Sequence, residues 1–479
     1  MNPVLIVFAV FLAAVSVQAQ SGGRMVWAKV RVTSPWKAYP TRTLSDLPAN
    51  TTNTVDSGLS QFGGLLGRKL PSTGFFYSTN LDGRWWLVDP EGCLFLDKGV
   101  TAVETLRGAG AKDVFKQEFG NTSSWAAQTT DLLRSNGFNN LGAWSETDVL
   151  RRTLHPLVYT RVLNFMSNYG EKRGGIYQQP GHAGYPNDCI FVFDPGFEAF
   201  CNVYAQQLAQ GKNDSWLLGY FSDNEMPLWR GALKNYLKLP PQDAGYQAAR
   251  KWLQTRYGQN ATTDRITPQD EKDFLAFVVA RYFRIVSSAI KKYDPNHLFL
   301  GSRFNGRVLN EPEVFKAAGP YLDVVSVNYY DVWTPSQTQL TAWAYAADKP
   351  ILITEWYTKA EDSGLPNTGG AGWIVKTQTD RGLFYQNFTL ALLQSKACVG
   401  WDWFKYADND PTDTTADPSN LDANKGIVNS HYQPYQPLLE AMKQINDRAY
   451  SLADYFAGTI GHLSDKGSAH SALTHAGEN

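Results

Sequence analysis

Two glutamates stand out because each closes an almost wholly apolar run: Glu225 ends WLLGYFSDNE (216–225), and Glu355 follows ILIT within ILITEWY (351–357). A carboxyl group at the end of a buried strand is partly desolvated, which raises its pKa, while hydrogen bonds or a nearby cation hold a second carboxyl ionised. One proton donor and one carboxylate facing each other across a cleft suit cleavage of a glycosidic bond. The acid protonates the leaving oxygen, and the carboxylate attacks the sugar or activates water. A single glutamate at such a place is equally well explained by a rim ion pair, but two of them on separate strands favour catalysis. Asn224, beside Glu225, has the chemistry to bond a sugar 2-hydroxyl, a contact that strengthens as positive charge develops on the ring. Asn328, Tyr329 and Tyr330 end VVSVNYY (324–330), and one of the two tyrosines is expected to donate to Glu355 and keep it ionised.

The chain holds 15 Trp and 24 Tyr, and indole rings suit the apolar C–H faces of sugars. Trp144, Trp401 and Trp403 belong to a set of seven tryptophans at or after the ends of apolar runs. Two or three of the set are expected to be platforms for substrate, and the rest to be packing. Arg303 binds either a sugar hydroxyl or a rim carboxylate, with the rim pair slightly favoured. Asp331 and Asp402 are evenly balanced between substrate and structure, and Asp223 is expected to point away from the pair. His182 sits in the Gly-rich stretch KRGGIYQQPGHAGYPNDC (172–189), which reads equally as a wall of the cleft touching substrate or as a mobile loop without function. No two histidines show the i, i+4 spacing of a zinc helix, and Cys93, Cys189, Cys201 and Cys398 form no C-x-x-C pair. No metal or cofactor is expected.

These side chains need a frame that gathers strand ends. Eight short apolar runs recur, each followed by a helical stretch: 96–103, 138–144, 159–166, 216–225, 298–304, 324–330, 351–357 and 398–404. The alternation predicts an α/β fold built of parallel β/α units, and eight units predict a closed (β/α)8 TIM barrel with its site at the C-terminal strand ends. A doubly wound sheet is the competitor, but no Gly-rich phosphate turn follows any run. Helices are expected over 129–137, 195–211, 266–295, 379–396 and 435–455, and GRWWLVDPEGCLFLDKG reads as a β-hairpin turning at 89–92. Residues 20–74 read as a polar N-terminal lead-in with little core of its own, 75–458 as the barrel, and 459–479 as a loose tail.

At the N-terminus, Val4 to Val15 are apolar and Val17-Gln18-Ala19 suits cleavage after Ala19. Residues 1–19 therefore read as a signal peptide, and the mature chain as secreted, extracellular or periplasmic. No second apolar run reaches 18 residues, so stable membrane insertion is not expected. With 44 Lys+Arg against 45 Asp+Glu the formal charge is −1, unlike a nucleic-acid binder, and 43% hydrophobic residues exclude disorder. The expected partner is a polysaccharide or oligosaccharide; the oligomeric state is not legible.

The segments WLLGYFSDNEMPLW, LDVVSVNYY, ITEWY and NKGIVN, with the hairpin GRWWLVDPEGCLFLDKGV, resemble glycoside hydrolase family 50, the β-agarases, within clan A of the retaining glycoside hydrolases. The resemblance spans roughly residues 75–440. It implies Glu225 as general acid/base, Glu355 as nucleophile, and a carboxyl separation of about 5–5.5 Å. It further implies hydrolysis of a β-1,4-linked galactose unit, most simply in agarose, by double displacement. Another β-linked polysaccharide, with a β-galactosidase, mannanase or glucanase type of action, fits the strand motifs as well. A carbohydrate-binding barrel without catalysis is the alternative of another class, and the presence of both glutamates argues against it.

Overall fold

The computed structural model describes residues 23–52 and 54–458. The expected leader (1–19) and tail (459–479) lie outside the described residues. At the centre is an eight-stranded sheet of β1 (Asp97–Val100), β2 (Asn140–Leu141), β3 (Val158–Val162), β4 (Leu217–Phe221), β5 (Leu298–Phe299), β6 (Val325–Asn328), β7 (Ile351–Glu355) and β8 (Cys398–Trp403). Each strand falls on one of the eight predicted runs. Their order in space is β5-β4-β3-β2-β1-β8-β7-β6, and every ladder is parallel. Sequence neighbours are thus neighbours in space and β8 pairs with β1, the order of a curled, TIM-like sheet. The edge strands approach through a parallel bridge between Phe304 and Val327, where the Phe304 N–H donates to the Ser326 carbonyl at 2.9 Å.

Every residue of β4, β7 and β8 is buried, which is why these strands read as continuous apolar runs rather than alternating ones. The longest helix, Pro268–Tyr293, starts at a capping box formed by Thr267 and Asp270, has Pro at its first position, and stops at Asp294, ahead of Pro295. The helix expected over 435–455 is instead two helices, Gln436–Asn446 and Ala449–Ala457. At the break, the buried Asn446 accepts from the Tyr385 hydroxyl (2.7 Å) and donates to the Asn136 carbonyl (3.0 Å), so its amide is tied inward where the chain changes direction.

The predicted hairpin is present as Arg84–Val88 and Cys93–Phe95, with Asp89 accepting the Glu91 and Cys93 amides at 2.9 Å each across the turn. It forms a four-stranded sheet with Leu65–Lys69 and Tyr77–Leu81. The lead-in also supplies Met25–Lys29 and Lys37–Pro40 to a second four-stranded sheet, completed by Thr358–Ala360 and Trp373–Val375 from the loop after β7. Val26 and Ala28 are buried there as part of the main hydrophobic core. All four cysteines are buried free thiols. No helix among the described residues is long and apolar enough to cross a membrane.

Candidate active site

Glu225 follows β4 through Ser222-Asp223-Asn224, and Glu355 is the last residue of β7. Both line one cavity of about 660 Å³, together with Trp144, His182, Tyr330 and Asp331. Glu225 (φ 51°), Trp144 (φ 67°), Arg303 (φ 55°) and Asp331 (φ 64°) all adopt the left-handed backbone region. Side-chain-bearing residues enter it rarely, at about 1–3 kcal/mol each, and such strain gathers where a fold aims side chains at a site.

A hydrogen-bond network ties the two glutamates to different partners. Glu225 Oε1 accepts from Asn328 Nδ2 at 2.7 Å, and its Oε2 lies 3.5 Å from His182 Nδ1, a buried nitrogen with no hydrogen bond. Glu355 Oε1 accepts from Arg303 Nη2 at 2.7 Å, and its Oε2 accepts from the Tyr330 hydroxyl at 2.8 Å. Asn224 Oδ1 accepts from Arg303 Nη1 (3.1 Å) and Asn328 Nδ2 (3.3 Å), and Thr354 Oγ1 fixes Asn328 by donating to its Oδ1 at 2.8 Å. Asn224 Nδ2 donates at 3.1 Å to the carbonyl of Gly181, at the tip of a hairpin formed by Tyr177–Gln179 and His182–Gly184. The Gly181 amide donates in turn to Asp417 Oδ2 at 2.8 Å, so the hairpin spans the cavity mouth.

The two carboxyls are electrostatically unequal. Burial, and then the charge of Glu355, push Glu225 up to about 7, against the hydrogen bonds of Asn328 and Asn305 and the charge of Arg303. Glu355 has a guanidinium and a phenol on its two oxygens, an environment made for a carboxylate. Glu225 can therefore supply a transferable proton near neutral pH, beside a Glu355 whose two oxygens both accept from donors.

The other expected contact residues divide by which way their side chains point. Trp144 is 37% exposed on the cavity wall, with the Arg303 guanidinium 5.4 Å from its ring. Trp401 and Trp403 are not on that wall but in the core, donating to the Tyr385 hydroxyl (2.8 Å) and the Lys425 carbonyl (2.9 Å). They stand two residues apart on β8 and so share a face. Tyr329 also points away: its hydroxyl donates to Gln339 at 2.7 Å, and its ring packs on Trp343 and Phe388. Of the two tyrosines, Tyr330 is the one on Glu355.

Asp402 is buried beneath the site, where Asn140 Nδ2 donates to it and to Asp97 at 3.3 Å each, and Gly99 leaves the space it fills: a Cβ there would lie 1.9 Å from its Oδ1. Burial pushes Asp402 up to about 7. Asp223 serves structure: it accepts the Met166 amide at 3.0 Å, the Ser167 amide at 3.2 Å and the Tyr282 hydroxyl, and burial pushes it up to about 6. Sequence reasoning missed Glu104, Tyr357, Lys405 and Lys425, which also line the cavity. Tyr357 closes ITEWY and Lys425 lies in NKGIVN, so their segments were visible though their side chains' direction was not.

Carboxyls raised by burial, Asp97, Asp223, Glu225 and Asp402 foremost among them, make stability pH-dependent. Between the ordinary carboxyl range and pH 7, the folded chain binds more protons at Asp223, Glu225 and Asp402 than the unfolded chain does, so stability falls as pH rises. The thermal midpoint is expected to drop between pH 5 and pH 8. Glu225→Gln is expected to raise the midpoint at pH 8 and to change it least at pH 5. An equal shift at both values would show that Glu225 is not held protonated by the fold.

A parallel-stranded, TIM-like frame with an unequal glutamate pair in the cavity at its strand ends defines the class of this protein. No family model matches the chain. In sequence it is 27% identical to Beta-agarase B of Vibrio sp. (strain JT0107) over 82% of its length, and 26% identical to Beta-agarase A of the same strain over 77%. It spans about half the length of these curated relatives, 50% and 45% respectively. In structure it is similar to BpGH50, with a TM-score of 0.79 and 28% identity over 90% of this chain and 96% of that one. In both sequence and fold the chain is therefore similar to family-50 glycoside hydrolases.

Proposed function

We propose that the protein is a secreted retaining glycoside hydrolase that cleaves β-1,4 bonds of agarose on a closed (β/α)8 barrel. The observation that carries this reading is the asymmetry of the two buried glutamates on one cavity: Glu225 is pushed up to about 7, while Glu355 is bonded by Arg303 and Tyr330. In the first step a Glu355 oxygen attacks the anomeric carbon. The bond to the leaving oxygen breaks, and that oxygen takes the proton of Glu225. In the second step the Glu225 carboxylate takes a proton from water, the water oxygen attacks the anomeric carbon, and Glu355 leaves with its electron pair. The free enzyme is restored with net retention. This requires carboxyl groups about 5–5.5 Å apart. The names of the relatives support agarose as the substrate, and the leader read at residues 1–19 supports export. Trp144 supplies the exposed indole face for a sugar ring, and Asn224, oriented by Arg303, supplies an amide beside the acid.

The test is chromatography of the products formed from defined neoagaro-oligosaccharides, with the anomer first released read by NMR. Short neoagaro-products released first as the β-anomer are expected. An α-anomer would overturn retention, and a well-folded protein that leaves these substrates intact would overturn agarose.

A further inference from the structure

Lys405 follows β8 by two residues, and its side chain, only 6% exposed, lies in the wall of the cavity that holds Glu225 and Glu355. Its Nζ has neither a hydrogen bond nor an ion pair among the described residues. Glu104, after β1, is half-buried in the same wall, and its carboxylate likewise has neither. Each is the other's leading charge partner. Burial pulls the Lys405 pKa down, and the strongest opposing influence is Glu104; burial pushes Glu104 up, and the strongest opposing influence is Lys405. They nonetheless stand more than 4.0 Å apart, too far to satisfy one another directly. Lys425, whose carbonyl accepts from the Lys405 amide at 3.2 Å, is already held: its Nζ donates to Asn420 at 2.7 Å and sits 4.7 Å from the Tyr357 ring.

The Lys405 stem is buried while its ammonium opens onto the cavity, so a ligand entering there meets a cation that no protein group already holds. The chemistry of that ligand is constrained from both sides. An ammonium only donates and a carboxylate only accepts, so a group between them has to accept from one and donate to the other. A sulfate or carboxylate substituent is repelled by Glu104, and an amino sugar by Lys405. A hydroxyl satisfies both.

We infer that Lys405 and Glu104 form a clamp that grips hydroxyls of a neutral sugar unit, Lys405 donating to a hydroxyl oxygen while that hydroxyl or its ring neighbour donates to Glu104. The clamp selects unsulfated over sulfated sugar at that place. It rests on the hydrolase reading for the molecule that carries the hydroxyl.

The test is steady-state kinetics of the full chain on neoagarohexaose for Lys405→Met, Glu104→Leu, their double variant and Glu104→Gln, with thermal unfolding in parallel. Each of the first two is expected to lower kcat/KM roughly 10- to 100-fold, mainly through KM, because each strands the other charge. The double variant is expected to do no worse than the poorer single one, and Glu104→Gln, which keeps an acceptor, to lose less than Glu104→Leu. The unfolding midpoints should hold or rise. Variants matching a competent wild type would overturn the clamp alone, as would lowered midpoints with kcat/KM unchanged, the signature of a structural pair. If neoagarohexaose is not cleaved, the same variants are compared on galactan, mannan and β-glucan oligosaccharides; a wild type that cleaves none overturns the hydrolase reading and the clamp together.

Discussion

Glu355→Ala is expected to lower kcat on neoagaro-oligosaccharides by roughly 10⁴-fold or more, because it removes the atom that bonds to the anomeric carbon. Glu225→Ala is expected to cost roughly 10²–10⁴-fold, the range for loss of a general acid/base. The two variants separate further with a 4-nitrophenyl β-galactoside. Its leaving group needs no proton, so Glu225→Ala should still form the glycosyl-enzyme and stall at the second step, where the missing base cannot activate water. Added azide needs no base and should restore turnover in Glu225→Ala, giving a β-glycosyl azide. In Glu355→Ala, azide entering from the vacated side should give the α-anomer. The pH profile is the third readout. Glu225 must enter the reaction protonated, so wild-type kcat/KM should fall as pH rises through about 7. Equal rescue of both variants with the same anomer would remove the distinction between the two roles. Full activity in either one would place the chemistry elsewhere.

The frame was legible because buried parallel strands write themselves as unbroken apolar runs, and a carboxyl at the end of such a run is conspicuous. Which way a strand-end residue faces was less legible, since one step along a strand reverses it. On β8, Trp401 and Trp403 share the face turned to the core, while Asp402 between them meets Asn140 beneath the site. On β6 and its extension the same alternation separates Tyr329, bonded to Gln339, from Tyr330, bonded to Glu355. Arg303 and Trp144 escape period-two reasoning altogether, because a left-handed backbone turns each after its strand. Lys405 and Glu104 come from loops after β8 and β1, about 300 residues apart in sequence, and only the pairing of those strands brings them onto one wall. His182 sits on a hairpin whose place over the cavity depends on Asn224 and Asp417, contacts that no local pattern announces.

Arg303 is where stability and chemistry are most tightly joined, and its removal should have the largest effect of any change outside the glutamate pair. The residue is fully buried, with its guanidinium on Glu355 Oε1 (2.7 Å), the Thr354 carbonyl (3.0 Å) and Asn224 Oδ1 (3.1 Å). Arg303→Met keeps the volume but leaves Glu355 a buried carboxylate without its cation, a loss of about 3–5 kcal/mol in unfolding free energy. Arg303→Lys should recover only part of this, since a point charge cannot reproduce the planar fork that reaches three acceptors. The loss belongs to the stranded carboxylate rather than to packing, so it should depend on Glu355. In a Glu355→Gln background, Arg303→Met should cost far less, giving a coupling of about 1 kcal/mol or more in a double-mutant cycle read by urea unfolding. Strict additivity would mean that Arg303 stabilises the fold through Asn224, Thr354 and its contacts with Trp144 and Phe221 alone. Activity adds a second criterion. Because the same guanidinium aims both Glu355 and Asn224, Arg303→Met should lower kcat by roughly 10²-fold even where the variant remains folded, the size of effect that a misplacement near 1 Å produces. A folded Arg303→Met enzyme with wild-type kcat would show that Tyr330 alone suffices to hold Glu355 for attack.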